Sequence, residues 1–392
     1  MRIGIVCYAS VGGSGVVATE LSYALASRGH EVHLVSSELP FRWRTIPGLT
    51  FERVVMPSYP LFHEPQYVLG LTNTLVRVSR ERQLDILHAH YAVPHATAAF
   101  LAHQILDSTR EAGYDAPRTV TTLHGTDITL VGSDPSYARV VAFSIEQSHG
   151  VTAVSESLRA QTVQSLGISR DIRVIPNFLD CSGYQRQTDR KLTDRMCPRG
   201  DNEAVILHVS NFRPVKRVNV VLDVFRKIRE HVRARLVMIG DGPDRGALEN
   251  RVAELGLNRV VKFVGEQLDL VPWLSAADLF LLPSAQESFG MAALEAMACE
   301  VVVVASRVGG LPEIIDDGVT GILCAADDLD AMANRAVAVL KDAAARARMG
   351  RAASLHTRAT YCVDRIVPLY EQYYGEVLDG RRSAELSARQ PA

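Results

Sequence analysis

The strongest constraint on this chain is an alternation that runs twice. Short runs rich in β-branched residues stand at 3–7, 31–36, 86–90, 120–123, 151–154 and 172–175, with segments of helical period between them. The pattern then starts afresh at 205–210, 235–240, 260–264, 279–282 and 301–305. Strands separated by helices pair in parallel, and a sheet covered on both faces shows continuous apolar runs. Each half is therefore expected to be a doubly wound α/β unit. Length agrees, since 392 residues exceed what one core usually holds. Residues 181–203 are polar and read as the connection between the halves. Near the end, "VDRIVPLYEQYYGEVL" sets Val367, Tyr370 and Tyr374 on one helical stripe, which needs a surface to cover; the last ten residues read as frayed.

Charge narrows the ligand. The formal net charge is −2, so no basic field suggests nucleic acid or an anionic membrane, and any phosphate would be held by a few placed cations and backbone amides. The partner is expected to be small. No run of about 18 apolar residues is present. The six cysteines, at 7, 181, 197, 299, 324 and 362, show no C-x-x-C or paired spacing, so neither disulfides nor zinc are expected and a reducing cytoplasm fits. Self-association stays open.

Two stretches carry candidate chemistry. After the first strand, Gly12, Gly13 and Gly15 occupy a turn into a helix starting near Val16. Such glycines let backbone approach a ligand, and the helix N-terminus offers N–H groups to an anion. Gly13-x-Gly15-x-x-Ala18 with Glu38 also fits a dinucleotide fingerprint, so an NAD-dependent oxidoreductase is a rival from another class. In the second half, "SAQESFGMAALEAMA" follows a buried strand, placing Glu287 in a loop and Glu295 in the helix that resumes at about Phe289. Eight helical residues rise about 12 Å, too far for a glycosidase pair but suited to the two ends of an elongated, hydroxyl-bearing ligand. The amides of 288–291 would face a pyrophosphate between them. The loop "HVSNFRPVKR" carries Asn211, Arg213, Lys216 and Arg217 on the same rim.

Together these residues resemble glycosyltransferase family 4, the retaining GT-B enzymes, over nearly the whole chain. Glu-x7-Glu around Phe-Gly, followed by "GGLPEIIDDGVTG", is the specific part. "CYASVGGSGVVATELSYALASRGHEVHLVSSELPFR", "HAHYAVPHA", "TLHGTDITLVGSDPS", "TAVSESLR", "IPNF" and "HVSNFRPVKR" narrow the resemblance to members that join N-acetylglucosamine to L-malate on the bacillithiol pathway. Transfer to another acceptor, such as an inositol phosphate, a lipid or a polysaccharide, is the alternative within the family.

The resemblance implies two facing Rossmann-like domains with a cleft between them: 1–180 for the acceptor, 203–362 for the nucleotide sugar, and a helix in 363–392 packing back on the first domain. Glu295 would hold ribose hydroxyls and Glu287 sugar hydroxyls. Ser210, Asn211, Arg213 and Lys216 would hold the diphosphate, with Ser288, Phe289 and Gly290 at the helix start. Gly13 and Gly15 would approach the phosphates, His124 would sit by the anomeric centre, and Ser14, Tyr91 and Thr126 would meet the acceptor, with Arg139 and Arg42 as guesses for its carboxylates. UDP-N-acetylglucosamine is then the donor and no metal is expected. His88, His90 and His95 lack carboxylate or thiolate partners at ligand spacing. The family usually has Gly and Pro where Glu300 and Val302 stand, so that turn is expected to differ.

Overall fold

A computed structural model describes residues 1–9, 13–41, 43–56, 66–109, 114–187, 200 and 202–388. The chain divides into two units, Met1–Asn177 with the segment from Asp364 onward, and Phe178–Val363.

The first unit is built on seven parallel strands: β1 (Arg2–Val6), β2 (Glu31–Ser36), β3 (Leu49–Arg53), β4 (Ile86–His90), β5 (Arg118–Leu123), β6 (Gly150–Ala153) and β7 (Arg173–Val174). Their order is β3-β2-β1-β4-β5-β6-β7. The second has six: β8 (Ala204–Val209), β9 (Ala234–Ile239), β10 (Val261–Phe263), β11 (Leu279–Leu282), β12 (Val302–Ser306) and β13 (Ile322–Cys324). Their order is β10-β9-β8-β11-β12-β13. Every pairing is parallel, and the central strands β4, β11 and β12 are buried throughout. The α/β class expected from the alternation is the one observed.

Two strands lie outside that expectation. β3 mixes buried and exposed positions at a sheet edge and so gives no apolar run, whereas β13 is a run of three buried apolar residues that the reading passed over. Strand order reverses between β1 and β4 in one unit and between β8 and β11 in the other. Loops leaving the carboxyl ends of such neighbours flank the crevice where open α/β sheets bind ligands.

The helix Val363–Ala388 covers the first sheet. Tyr370 and Tyr374 are fully buried, the Tyr374 hydroxyl lies 2.7 Å from His88 Nδ1, and Tyr373 takes the Val151 N–H at 2.8 Å. Arg28 forks onto Glu371 at 2.9 and 2.8 Å. This packing accounts for the stripe through Tyr370 and Tyr374. Helix continues through Ala388, into the stretch read as frayed; residues 389–392 lie outside the described ones.

The cysteine expectation is overturned. Cys181 and Cys362 form a disulfide, with Cα atoms 5.5 Å apart, whereas Cys7, Cys299 and Cys324 are free and buried. The pair is 181 residues apart in sequence, so no local spacing announces it. The polar stretch at 181–187 also differs from a plain connection, because it lies in the second unit and is hydrogen-bonded there: Arg186 donates to the carbonyls of Glu300 and Ala277, and the Gln187 N–H to Ser275.

Candidate active site

In the second unit the β8 and β11 loops are tied together. The Ala285 N–H donates to the Val215 carbonyl at 2.8 Å. This brings Lys216 and Glu287 into contact: Nζ lies 2.6 Å from Oε1, and the Ser284 hydroxyl donates to the same oxygen at 3.0 Å. Glu287 is 9% exposed, so its charge is balanced at short range by a cation and a hydroxyl rather than by bulk water. Two further contacts fix its backbone. Gly310 donates its N–H to the Glu287 carbonyl at 2.9 Å, and a Cβ on Gly309 would stand 1.8 Å from that oxygen. Gly309 also has φ +54°, so only glycine fits there.

The β8 loop is shaped by His208. Its Nδ1 lies 2.8 Å from the Leu281 carbonyl, which only accepts, so this nitrogen carries the proton and Nε2 accepts from Ser210 Oγ at 2.8 Å. Ser210 Oγ in turn accepts the Phe212 N–H at 3.3 Å. Burial lowers the His208 pKa to about 4, and Lys216 adds to the depression, keeping the ring neutral. Asn211 and Arg213 are exposed, and the Arg213 side chain makes no ion pair among the described residues.

The helix after Glu287 starts at Met291, behind Gly290 at φ +101°. Only the second half of the Glu287–Glu295 interval is helical, so the full helical rise does not apply. Phe289 is buried edge-on against Tyr361, which leaves its backbone rather than its ring for a ligand. Glu295 is 7% exposed and accepts a hydrogen bond from the Tyr184 hydroxyl at 2.6 Å.

In the first unit the β4 and β5 loops form a second cluster. The register pairs His90 with Thr122, so His124, two residues beyond, lies next to His90, their Nε2 and Nδ1 atoms 2.8 Å apart. Asp127, 1% exposed, accepts N–H groups from Ala92, Gly125 and His124 at 3.1, 2.9 and 3.3 Å, stitching the two loops together. Burial raises its pKa to about 6 against the pull of those amides. Tyr91 has φ +95° and ψ 139°, a strained conformation for a side-chain-bearing residue, and its hydroxyl accepts from Ser14 Oγ at 2.8 Å. Its ring centroid is 5.3 Å from that of His124.

These histidines are neutral. Burial is the largest cause in each case, holding His88 and His124 near pKa 3 and His95 near 4, with His90 well below its usual value. His90 Nε2 is buried without a hydrogen-bond partner among the described residues. An orphaned N–H is rarer in buried sites than an orphaned acceptor, so His90 carries its proton on Nδ1 and donates to His124 Nε2. His124 then presents an Nδ1–H donor. Among the described residues no group of three or more His, Cys, Asp or Glu could hold a metal ion.

Residues 11–182 match the Glycosyltransferase Family 4 profile, and residues 190–356 match that of glycosyl transferases group 1. The chain is 41% identical over 387 residues to the N-acetyl-alpha-D-glucosaminyl L-malate synthase of Bacillus anthracis, covering 98% of this chain and 100% of that one. This chain is a family 4 glycosyltransferase.

The transferase is also 27% identical over 383 residues to a D-inositol 3-phosphate glycosyltransferase of Kribbella flavida, with 88% and 87% of the two chains covered. In fold it resembles sucrose-phosphate synthase from Thermosynechococcus elongatus, at TM-score 0.81, 21% identity and 97% and 100% coverage. It likewise resembles Anabaena HepE, solved with UDP and glucose, at TM-score 0.78, 19% identity and 96% and 100% coverage. Its two parallel-sheet, Rossmann-like domains are those of the GT-B fold.

Within the transferase, Lys216 and Glu287 are brought into contact, and so are Ser14 and Tyr91, with His124 beside the latter. Gly13 is exposed at φ +63° at the start of the helix Ser14–Ser27, and Gly15 is buried in its first turn. Thr126 is half-buried at the turn into residues 127–131. Arg139 is exposed on the helix Pro135–Glu146; Arg42 and Gly12 lie outside the described residues. Tyr184, Ser284 and the His90–His124 pairing escape a reading of the sequence. The available signals were slight: a lone aromatic in a polar run, and a serine three places before Glu287.

Proposed function

We propose that this enzyme transfers N-acetylglucosamine from UDP-N-acetylglucosamine to the hydroxyl of L-malate with retention of anomeric configuration, the first step of bacillithiol biosynthesis. The end-to-end 41% identity to the Bacillus anthracis synthase carries the reading. The inositol-phosphate transferase is more distant at 27%.

In this reading Glu295 binds the ribose hydroxyls, Glu287 the sugar hydroxyls, and Ser210, Asn211, Arg213 and Lys216 the diphosphate, with the backbone at Ser288, Phe289 and Gly290. The bond from the anomeric carbon to phosphate breaks while the bond to the malate oxygen forms on the same face. The malate proton passes to the departing phosphate oxygen, so no protein base is required. Negative charge grows on UDP as the bond breaks, and preorganised cations stabilise charge where it develops. A charge-assisted hydrogen bond from Lys216 or Arg213 contributes about 1.5–3 kcal/mol, more than the roughly 0.3–1 kcal/mol of an exposed helix terminus. Neutral His124 serves as a hydrogen-bond donor to the sugar. Ser14, Tyr91 and Thr126 meet the acceptor, and Gly13 and Gly15 let backbone approach the phosphates. The chain's own side chains supply the positive charge, so a metal is not required. We place the enzyme in the cytoplasm, a reading that the Cys181–Cys362 bridge deprives of its cysteine argument.

Incubation with UDP-N-acetylglucosamine and a panel of hydroxy acids, inositol phosphate and sugars tests this, with products identified by mass. Release of UDP with an N-acetylglucosaminyl malate product is expected. UDP release only with inositol phosphate would assign the other acceptor class.

A further inference from the structure

We propose that Tyr184 is a positioning residue for donor binding: its hydroxyl fixes the orientation of the Glu295 carboxylate, and the Cys181–Cys362 clasp holds Tyr184 in place. The inference rests on the assignment of Glu295 to the ribose hydroxyls.

A ribose diol donates two hydrogen bonds, and a carboxylate accepts both well only when its plane is set in advance. Glu295 stands near the middle of the helix Met291–Ala298 and is 7% exposed. Its neighbours Leu294, Ala296 and Met297 are fully buried. Tyr184, 111 residues earlier, donates to Oε1 at 2.6 Å. Each carboxylate oxygen accepts more than one hydrogen bond, so this contact sets the plane without exhausting the group.

The hydroxyl is useful only if its own backbone is held, and residues 179–184 are held from both sides. Leu179 donates its N–H to the Tyr361 carbonyl at 3.0 Å and accepts the Val363 N–H at 2.8 Å. Arg358 donates to the carbonyls of Cys181 and Tyr184, both at 2.8 Å. The disulfide joins Cys181 to Cys362 covalently, and Asp180 accepts the Ser182 N–H at 3.0 Å inside the turn. Tyr184 is therefore delivered to Glu295 by a segment with little freedom. A loose surface loop would gain no orientation from one hydroxyl, because the entropy of ordering it would offset a single hydrogen bond.

Calorimetric titration of the full chain with UDP and with 2′-deoxy-UDP tests this, for wild type, Y184F, E295Q and the C181S/C362S double variant, with melting temperatures in parallel. Wild type should prefer UDP. Y184F should reduce that preference about 3- to 10-fold, the worth of one hydrogen bond, with 2′-deoxy-UDP affinity little changed. E295Q should reduce it at least as much, and the cysteine variant should move in the same direction. A preserved ratio in Y184F alongside a lost ratio in E295Q would overturn the role of Tyr184 and leave Glu295 standing. A preserved ratio in E295Q would remove both. A cysteine variant that melts lower but keeps the wild-type ratio would remove the clasp from the proposal.

Discussion

Lys216 Nζ lies 2.6 Å from Glu287 Oε1, joining a cation from the loop after β8 to a carboxylate from the loop after β11, 71 residues apart. Each residue holds the other in place before any ligand arrives. K216A should lower turnover on the order of 10²- to 10³-fold, because it removes a cation where charge develops on the leaving diphosphate. It should also cost roughly 1–3 kcal/mol of stability by leaving a nearly buried carboxylate without its cation. Steady-state UDP release and denaturant unfolding measure the two effects; near-normal turnover in a folded variant would refute the assignment.

Acid should destabilise the protein below about pH 6.5. His88 and His124 have pKa values lowered to about 3, and His95 and His208 to about 4. Above the unfolded value of about 6.5 both states are neutral and nothing is lost. As pH falls through it, the unfolded chain takes up protons that the folded chain refuses, so each ring subtracts up to about 1.4 kcal/mol per pH unit until its folded pKa is reached. Asp127, raised to about 6, acts oppositely: between its folded and unfolded values the folded state binds the extra proton, which offsets one such histidine. Melting temperatures should fall steeply from pH 6.5 to 4.5, and a flat profile would contradict the burial of these rings.

Reduction of Cys181–Cys362 should weaken the second unit. The bridge closes a span of 181 residues, for which the chain-entropy relation gives roughly 5 kcal/mol as an upper value. Guanidinium unfolding with and without dithiothreitol should separate the two forms, with wild type under reductant matching C181S/C362S. Coincident curves for oxidised and reduced protein would show that the bridge does not stabilise the unit.

Glu300 stands where the resemblance leads one to expect glycine. Glu300 has φ +59°, the left-handed conformation that glycine adopts freely. An L side chain there costs about 1–2 kcal/mol, while glycine gives back roughly 0.5–1 kcal/mol in the unfolded state. E300G should therefore be more stable by about 0.5–1 kcal/mol, read as a raised denaturation midpoint at unchanged activity. A lower midpoint would mean that the Glu300 side chain supplies a compensating contact.

The doubly wound halves, the glycine turn before Ser14–Ser27 and the placing of Glu287 ahead of the Glu295 helix could all be read from the chain, because strand periodicity, turn glycines and helix starts are local properties. Edge strand β3 was invisible for the same reason reversed: its half-exposed positions leave no run to detect.

What the tertiary structure alone decided is which of these residues meet. His90 reaches His124 because β4 and β5 pair in the register His90 to Thr122. Lys216 reaches Glu287 because β8 and β11 are neighbours, and Cys181 reaches Cys362 because distant segments fold together. Strand order and register depend on the summed burial of whole sheets rather than on any residue's neighbours in sequence. The sequence by itself therefore determined the class of machine and its inventory of charged groups, and packing determined which groups act as pairs.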